Sequence, residues 1–151
     1  MPGIRVTAPG PSVITEAKDL FALTELDGIR FYEVSGVRRD DARDPGVEIE
    51  VRLRRDEREI EIRCAAHVTA EDADYRSDAS AVFTLNDPVE ISDAALSEFV
   101  ERVGVMTVYP YLRESIDQSA AKLGAARPTM KLLRPGDITV SVSADETPST
   151  R

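Results

Sequence analysis

Tryptophan is absent, and cysteine and histidine occur once each, at Cys64 and His67. A lone thiol excludes an internal disulfide and fits a reducing compartment. One His and one Cys cannot supply the clustered ligands of a zinc site. Aromatic residues make up only 5% of the chain. Runs of Lys or Arg are also missing: Arg54 and Arg55 are followed at once by Asp56 and Glu57. The formal charge is −9, from 19 basic and 28 acidic residues. That balance argues against nucleic acid and anionic membrane as partners. No apolar run approaches the ~20 residues of a membrane span. The start of the chain carries Pro2, Gly3, Pro9, Gly10 and Pro11, without the apolar centre of a signal peptide. No glycine-rich phosphate loop or EF-hand spacing occurs, and Asp40, Asp41 and Asp44 read as a solvated turn before Pro45-Gly46. The expectation is a cytoplasmic, non-enzymatic protein with no cofactor and no metal.

What is present is apolar and aliphatic. Apolar residues form 42% of 151 positions, enough for one domain with a modest core of Ile, Val, Leu and Ala. Residues 1–14 and 143–151 read as loose ends of that single domain, 1–151.

The clearest local pattern is period two. Val47, Ile49, Val51 and Leu53 alternate with Glu48, Glu50 and Arg52. Ile60, Ile62, Cys64, Ala66 and Val68 alternate with Glu59, Glu61, Arg63 and His67. Each run is a strand with one dry and one wet face. His67 therefore falls on a wet face and Cys64 on a dry one, which does not make a catalytic pair.

The polar loop 55–58 between the runs suggests a hairpin. Opposite charges on its wet face favour Arg54 with Glu59, Arg52 with Glu61 and Glu50 with Arg63. The dry face then pairs Leu53 with Ile60, Val51 with Ile62 and Ile49 with Cys64. A third strand follows a polar turn near 70–74. It matches Val68 with Tyr75, Cys64 with Ala79, Ile62 with Ala81 and Ile60 with Phe83. An earlier strand is expected across Phe21–Val34, with a bulge or kink near Asp27-Gly28.

After Asp87-Pro88 the period changes. Ser92 is an N-cap candidate with Asp93 in the first turn. Ala95, Leu96, Phe99, Val100 and Val103 recur at helical spacing, and Gly104 is the expected stop. A longer helix fits 105–123. Its stripe of Val105, Val108, Tyr109, Leu112, Ile116, Ser119, Ala120 and Leu123 is wide enough to touch the sheet on one side and a second surface on the other. Leu112, Ile116, Ala120 and Leu123 are the candidates for a subunit interface. Pro110 either bends this helix or delays its start to near Thr107. Beyond Pro128, Ile138, Val140 and Val142 alternate with Thr139 and Ser141, as a short strand or a tail.

Tyr109-Pro110-Tyr111-Leu112-Arg113-Glu114-Ser115-Ile116 resembles the signature of the SecB-like chaperones, an aromatic-Pro-Tyr-x-Arg-Glu element on the long helix. Phe31-Tyr32-Glu33-Val34 is similar to the family's first strand, and the likeness runs from about Phe21 to Arg134. The resemblance implies an α+β fold, a four-stranded antiparallel sheet with a short helix and one long helix on one face. It implies a homotetramer, a dimer of dimers. Unfolded client proteins would bind in apolar grooves without ATP, delivered to the export ATPase SecA in some members or guarded as an antitoxin in others. Export-type members continue with a further helix, whereas Arg134-Pro135-Gly136-Asp137 does not look helical. A general or antitoxin-guarding holdase is expected on that ground. The client-binding candidates are Val105, Met106, Val108, Tyr109 and Tyr111, with Phe31 and Tyr32 on the sheet. The alternative is a dedicated module for a single folded partner, taken up at an exposed sheet edge.

Overall fold

The computed structural model describes residues 13–131. Its elements run α1 (Ala17–Leu23), β1 (Thr24–Arg38), β2 (Gly46–Arg55), β3 (Glu59–Thr69), β4 (Ala73–Leu85), α2 (Asp93–Phe99), a π-helical turn (Val100–Gly104) and α3 (Val105–Leu123). The four strands form one antiparallel sheet in the order β1-β4-β3-β2. The expected α+β architecture, a four-stranded antiparallel sheet with a short and a long helix, is the one observed.

The β3–β4 pairing is the one the apolar pattern predicts: Val68 opposes Tyr75, Cys64 opposes Ala79, Ile62 opposes Ala81 and Ile60 opposes Phe83. The β2–β3 register differs from expectation by two residues. Leu53 opposes Ile62, Val51 opposes Cys64 and Ile49 opposes Ala66. A slide of two keeps every side chain on its face, so hydrophobic alternation does not discriminate it. The turn does. The Asp56 N–H donates to the Glu59 carbonyl at 2.9 Å. Asp56 Oδ1 accepts from the N–H groups of Arg58 at 2.7 Å and Glu59 at 2.8 Å. This closes the loop one residue later than charge pairing suggested. On the wet face Arg52 now meets Arg63, and only Arg54 meets a glutamate, Glu61. Arg52 turns along its own strand to Glu50 at 3.0 Å.

The first apolar stretch also differs from expectation. Phe21–Leu23 ends the helix α1 rather than beginning a strand. Thr24 closes it, with both its N–H and its hydroxyl directed to the Phe21 carbonyl. Ahead of α1, Ile14 forms a parallel bridge to Ile91, so residue 14 is anchored rather than loose. β1 then runs to Arg38 and carries two bulges, one at Asp27 as expected and one at Tyr32.

The two helical segments are one continuous run. Ser92 caps α2, its hydroxyl accepting from the Ala95 N–H at 3.1 Å. Gly104 does not end the helix. It sits there because a Cβ would come within 2.1 Å of Ile62 Cδ1, so only glycine lets the start of α3 lie on β3. Gly124 is the real stop, at φ 64°, a left-handed cap that glycine adopts without strain. Pro110 lies inside α3 and withholds one hydrogen bond from Met106.

α3 packs on β4, β1 and β3, while α2 packs chiefly on α1 and the π turn. α3 therefore takes most of this face of the sheet. Leu112, Ile116 and Ala120 meet Ile60, Ile62, Cys64, Tyr75 and Phe83 in one apolar core. Phe99 stands edge-on to Phe83, with ring centres 5.1 Å apart. Ser115 donates to the Leu112 carbonyl at 2.9 Å and accepts from Ser77 at 2.5 Å, which joins helix to sheet. Burial pushes the Cys64 thiol up to about 12, so it stays protonated and inert.

Candidate functional site

The expected site residues separate into two groups. Val105, Val108 and Tyr109, expected to touch clients, are buried, as are Leu112, Ile116 and Ala120, expected at a subunit interface. The stripe on α3 is spent on the sheet across its width. The Tyr109 hydroxyl also donates to the Lys131 carbonyl. Leu123 is half-buried, and its Cδ1 would lie 3.1 Å from a Cβ at Gly36. Met106 is half-buried. Phe31, Tyr32 and Tyr111 remain exposed.

The exposed apolar surface gathers on β1. Leu26 is 49% exposed, Phe31 46% and Val34 49%. They oppose Phe83, Ala79 and Ser77, the β4 positions that face α3. All three thus lie on the helix-bearing side of an edge strand and remain about half exposed there. Sequence spacing hid this grouping. The intervals 26–29 and 31–34 are odd, and a regular strand would send their ends to opposite faces. The bulges at Asp27 and Tyr32 absorb one residue each and restore the phase. Leu26 and Val34 were not among the expected residues. The signal for them was the count: β1 spends 15 residues against 13 in β4.

The flank of α3 that carries Tyr109 and Asp117 is occupied by the segment 127–131, where Arg127 pairs with Asp117 at 3.5 Å. Among the described residues β1 is an edge strand, so its exposed apolar strip lies beside backbone groups that no other strand pairs.

The second bulge has a polar anchor on the other face of the sheet. Tyr32 reaches across β4 to β3, where its hydroxyl donates to Glu61 Oε2 at 2.5 Å. The same oxygen accepts from Ser80 at 2.7 Å and lies 3.5 Å from Arg30 Nη1. Arg63 lies over the Tyr32 ring at 3.8 Å and grips Asp78 through two hydrogen bonds of 2.8 and 2.6 Å. Glu61 is 8% exposed and Ser80 is fully buried, although α3 packs on the other face of the sheet. Burial alone would push the Glu61 carboxyl up. The Tyr32 and Ser80 hydroxyls, with the Arg30 and Arg54 charges, outweigh that and hold it below the usual range.

At the far end of the sheet, a cleft of about 560 Å³ lies between the 39–46 loop, the 69–72 turn and residues 126–129. Arg39 forms its wall, donating to the carbonyls of Ala70, Ala73 and Asp41 and pairing with Asp74 at 2.8 Å. Among the described residues no helix is long and apolar enough to cross a membrane. No group of three His, Cys, Asp or Glu side chains among them could hold a metal ion.

No family model matches the chain. It is 40% identical over 136 residues to the SecB-like chaperone SmegB of Mycolicibacterium smegmatis, covering 90% of this chain and 93% of that protein. Its fold resembles the SecB-like chaperone Rv1957 of Mycobacterium tuberculosis, solved with a ChAD peptide from the Rv1956 HigA1 antitoxin. That match has a TM-score of 0.66 at 18% identity and covers 78% of this chain and 96% of the other.

Proposed function

The chain belongs to the SecB-like chaperone family, and from that premise we propose that it is an ATP-independent holdase for non-native polypeptides. The observation that carries this reading is the strip Leu26, Phe31 and Val34 on edge strand β1, uncovered among the described residues. Apolar side chains beside unpaired backbone groups suit an extended segment, which adds as a strand and seats alternate side chains. A charge of −9 keeps such a complex dispersed.

Among clients, an antitoxin segment is favoured over delivery of preproteins to SecA, because the Rv1957 relative was solved with an antitoxin peptide. A cytoplasmic homotetramer completes the reading. Leu112, Ile116 and Ala120 are committed to the core, so contact between copies falls to exposed residues such as Phe21, Leu23 and Val37. The second reading, a module for one partner only, is favoured by the same free edge.

The test is suppression of aggregation of an unrelated thermally unfolding protein without ATP, with particle mass read by light scattering. Protection by a tetramer supports the holdase. Absence of protection together with tight binding of one antitoxin segment selects the single-partner module.

A further inference from the structure

We propose that Glu61 is a positioning residue: by holding Tyr32 against the outer face of the sheet it fixes the second bulge of β1, and the bulge turns Phe31 and Val34 to the same side. The inference rests on the reading of β1 as the client surface, and it assigns that surface its control.

Phe31 and Val34 are separated by an odd interval, so a regular strand would put one on the helix-bearing face and the other on the opposite face. The structure avoids this by leaving Tyr32 out of the ladder, between the Phe31–Ala79 and Glu33–Asp78 pairs. An unpaired residue in an edge strand has little of its own to hold it there. Tyr32 is held instead by groups two strands away. Glu61 Oε2 accepts its hydroxyl at 2.5 Å, and Arg63 covers its ring. Both holders are themselves fixed, Glu61 by Ser80 at 2.7 Å and Arg63 by Asp78 at 2.6 Å. The bulge at Asp27 has no comparable anchor among the hydrogen bonds of the described residues, so the clamp is particular to the Phe31–Val34 end of the strip.

One oxygen of Glu61, Oε2, receives the Tyr32, Ser80 and Arg30 donors. An amide oxygen in the same place accepts the two hydroxyls as well. Position and acceptor, rather than negative charge, are thus what the clamp requires, and this separates it from a stabilising ion pair.

The experiment uses the full chain and three variants, Tyr32→Phe, Glu61→Gln and Glu61→Leu. Two quantities are measured: amide exchange along β1, and affinity for fluorescently labelled, reduced and carboxymethylated α-lactalbumin, a permanently unfolded probe. Tyr32→Phe keeps the ring and removes the tie. It is expected to raise exchange at 31–34 about tenfold over the other strands and to weaken probe binding about fivefold, the worth of one hydrogen bond. Glu61→Gln is expected to stay within about twofold of wild type on both measures, since the acceptor is kept. Glu61→Leu is expected to match Tyr32→Phe if it folds; Tyr32→Phe decides the matter if it does not.

Three results overturn the proposal: unchanged exchange at 31–34 in Tyr32→Phe, a rise spread evenly over the sheet, or Glu61→Gln behaving as Tyr32→Phe does. If wild type fails to bind the probe, the holdase reading falls. The local exchange comparison then decides the clamp alone.

Discussion

The two edges of the sheet are built on opposite plans. β2 is regular: Val47, Ile49, Val51 and Leu53 point to the core side, while Glu48, Glu50, Arg52 and Arg54 point away. Charges at every second position are a common guard against a neighbour pairing with an open edge. β1 is longer, twice bulged, and leaves Leu26, Phe31 and Val34 uncovered among the described residues. One edge is marked by charge and the other by exposed apolar side chains. The irregularity that makes β1 hard to read is also what collects its apolar side chains.

The largest expected effect tests whether the edges share one foundation. Leu112 is fully buried on the sheet-facing side of α3, and Leu112→Ala is expected to cost about 3 kcal/mol. Urea denaturation should show one cooperative transition that moves both edges together; separate transitions would break the sheet into independent halves.

Gly104 gives the next largest effect. Gly104→Ala drives a Cβ into Ile62, and a loss of about 2 kcal/mol is expected. Adding Ile62→Val removes the clashing Cδ1 and should return part of that stability. No recovery in the double variant would place the decisive clash at the Cγ2 and Cβ of residue 62, 2.9 and 3.0 Å from the added carbon, which valine keeps.

The contrast between edges is tested directly by charge. Phe31→Asp and Val47→Asp replace residues of similar exposure, 46% and 47%, on β1 and β2. Each should leave stability within about 1 kcal/mol. Phe31→Asp is expected to weaken binding of an unfolded probe about tenfold or more, equivalent to about 1.4 kcal/mol, and Val47→Asp by less than about twofold. Equal losses, read by fluorescence anisotropy, would erase the distinction.

Acid should produce the smallest effect, on both edges by different routes. The Glu61 carboxyl is held below its ordinary value, chiefly by the Tyr32 and Ser80 hydroxyls acting against burial. The Asp56 carboxyl in the β2–β3 turn is held low by the N–H groups of Arg58 and Glu59. Both contributions are complete above the ordinary carboxylate range near pH 4 and are lost as pH falls through the lower folded values. A modest decline in thermal stability below about pH 4 is expected. Glu61→Gln should remove the β1 share and keep that of β2; an unchanged acid profile would place the titration elsewhere.

The regular part of the molecule was legible in its alternation, and the irregular part was not. The β3–β4 register and the 105–123 helix follow from apolar spacing, because burial punishes any slip that moves one residue across the sheet. The β2–β3 register escaped, since a slide of two is invisible to burial. The Asp56 turn decided it through backbone hydrogen bonds. Phe21–Leu23 read as strand because three apolar residues have no period of their own; Thr24 ends a helix there. The signature residues from Tyr109 to Ile116 identified the family correctly, yet most of its apolar members are core. The strip on β1 needed the bulges, and the bulge at Tyr32 is tied to Glu61, 29 positions along and two strands over. The expected alternation of Ile138, Val140 and Val142 lies outside the described residues.

The extra two residues of β1 also constrain the gene that encodes it. Tyr32 and Asp27 stand outside the ladder, so deleting either codon closes the strand into regular pairing and still leaves Phe31 with Val34, and Leu26 with Ile29, on one face. Deleting a codon from the regular stretch between the bulges, such as that of Arg30, removes one paired step and turns the two ends of the strand to opposite faces. Losses of length in this strand are therefore tolerated at the bulges before they are tolerated between them.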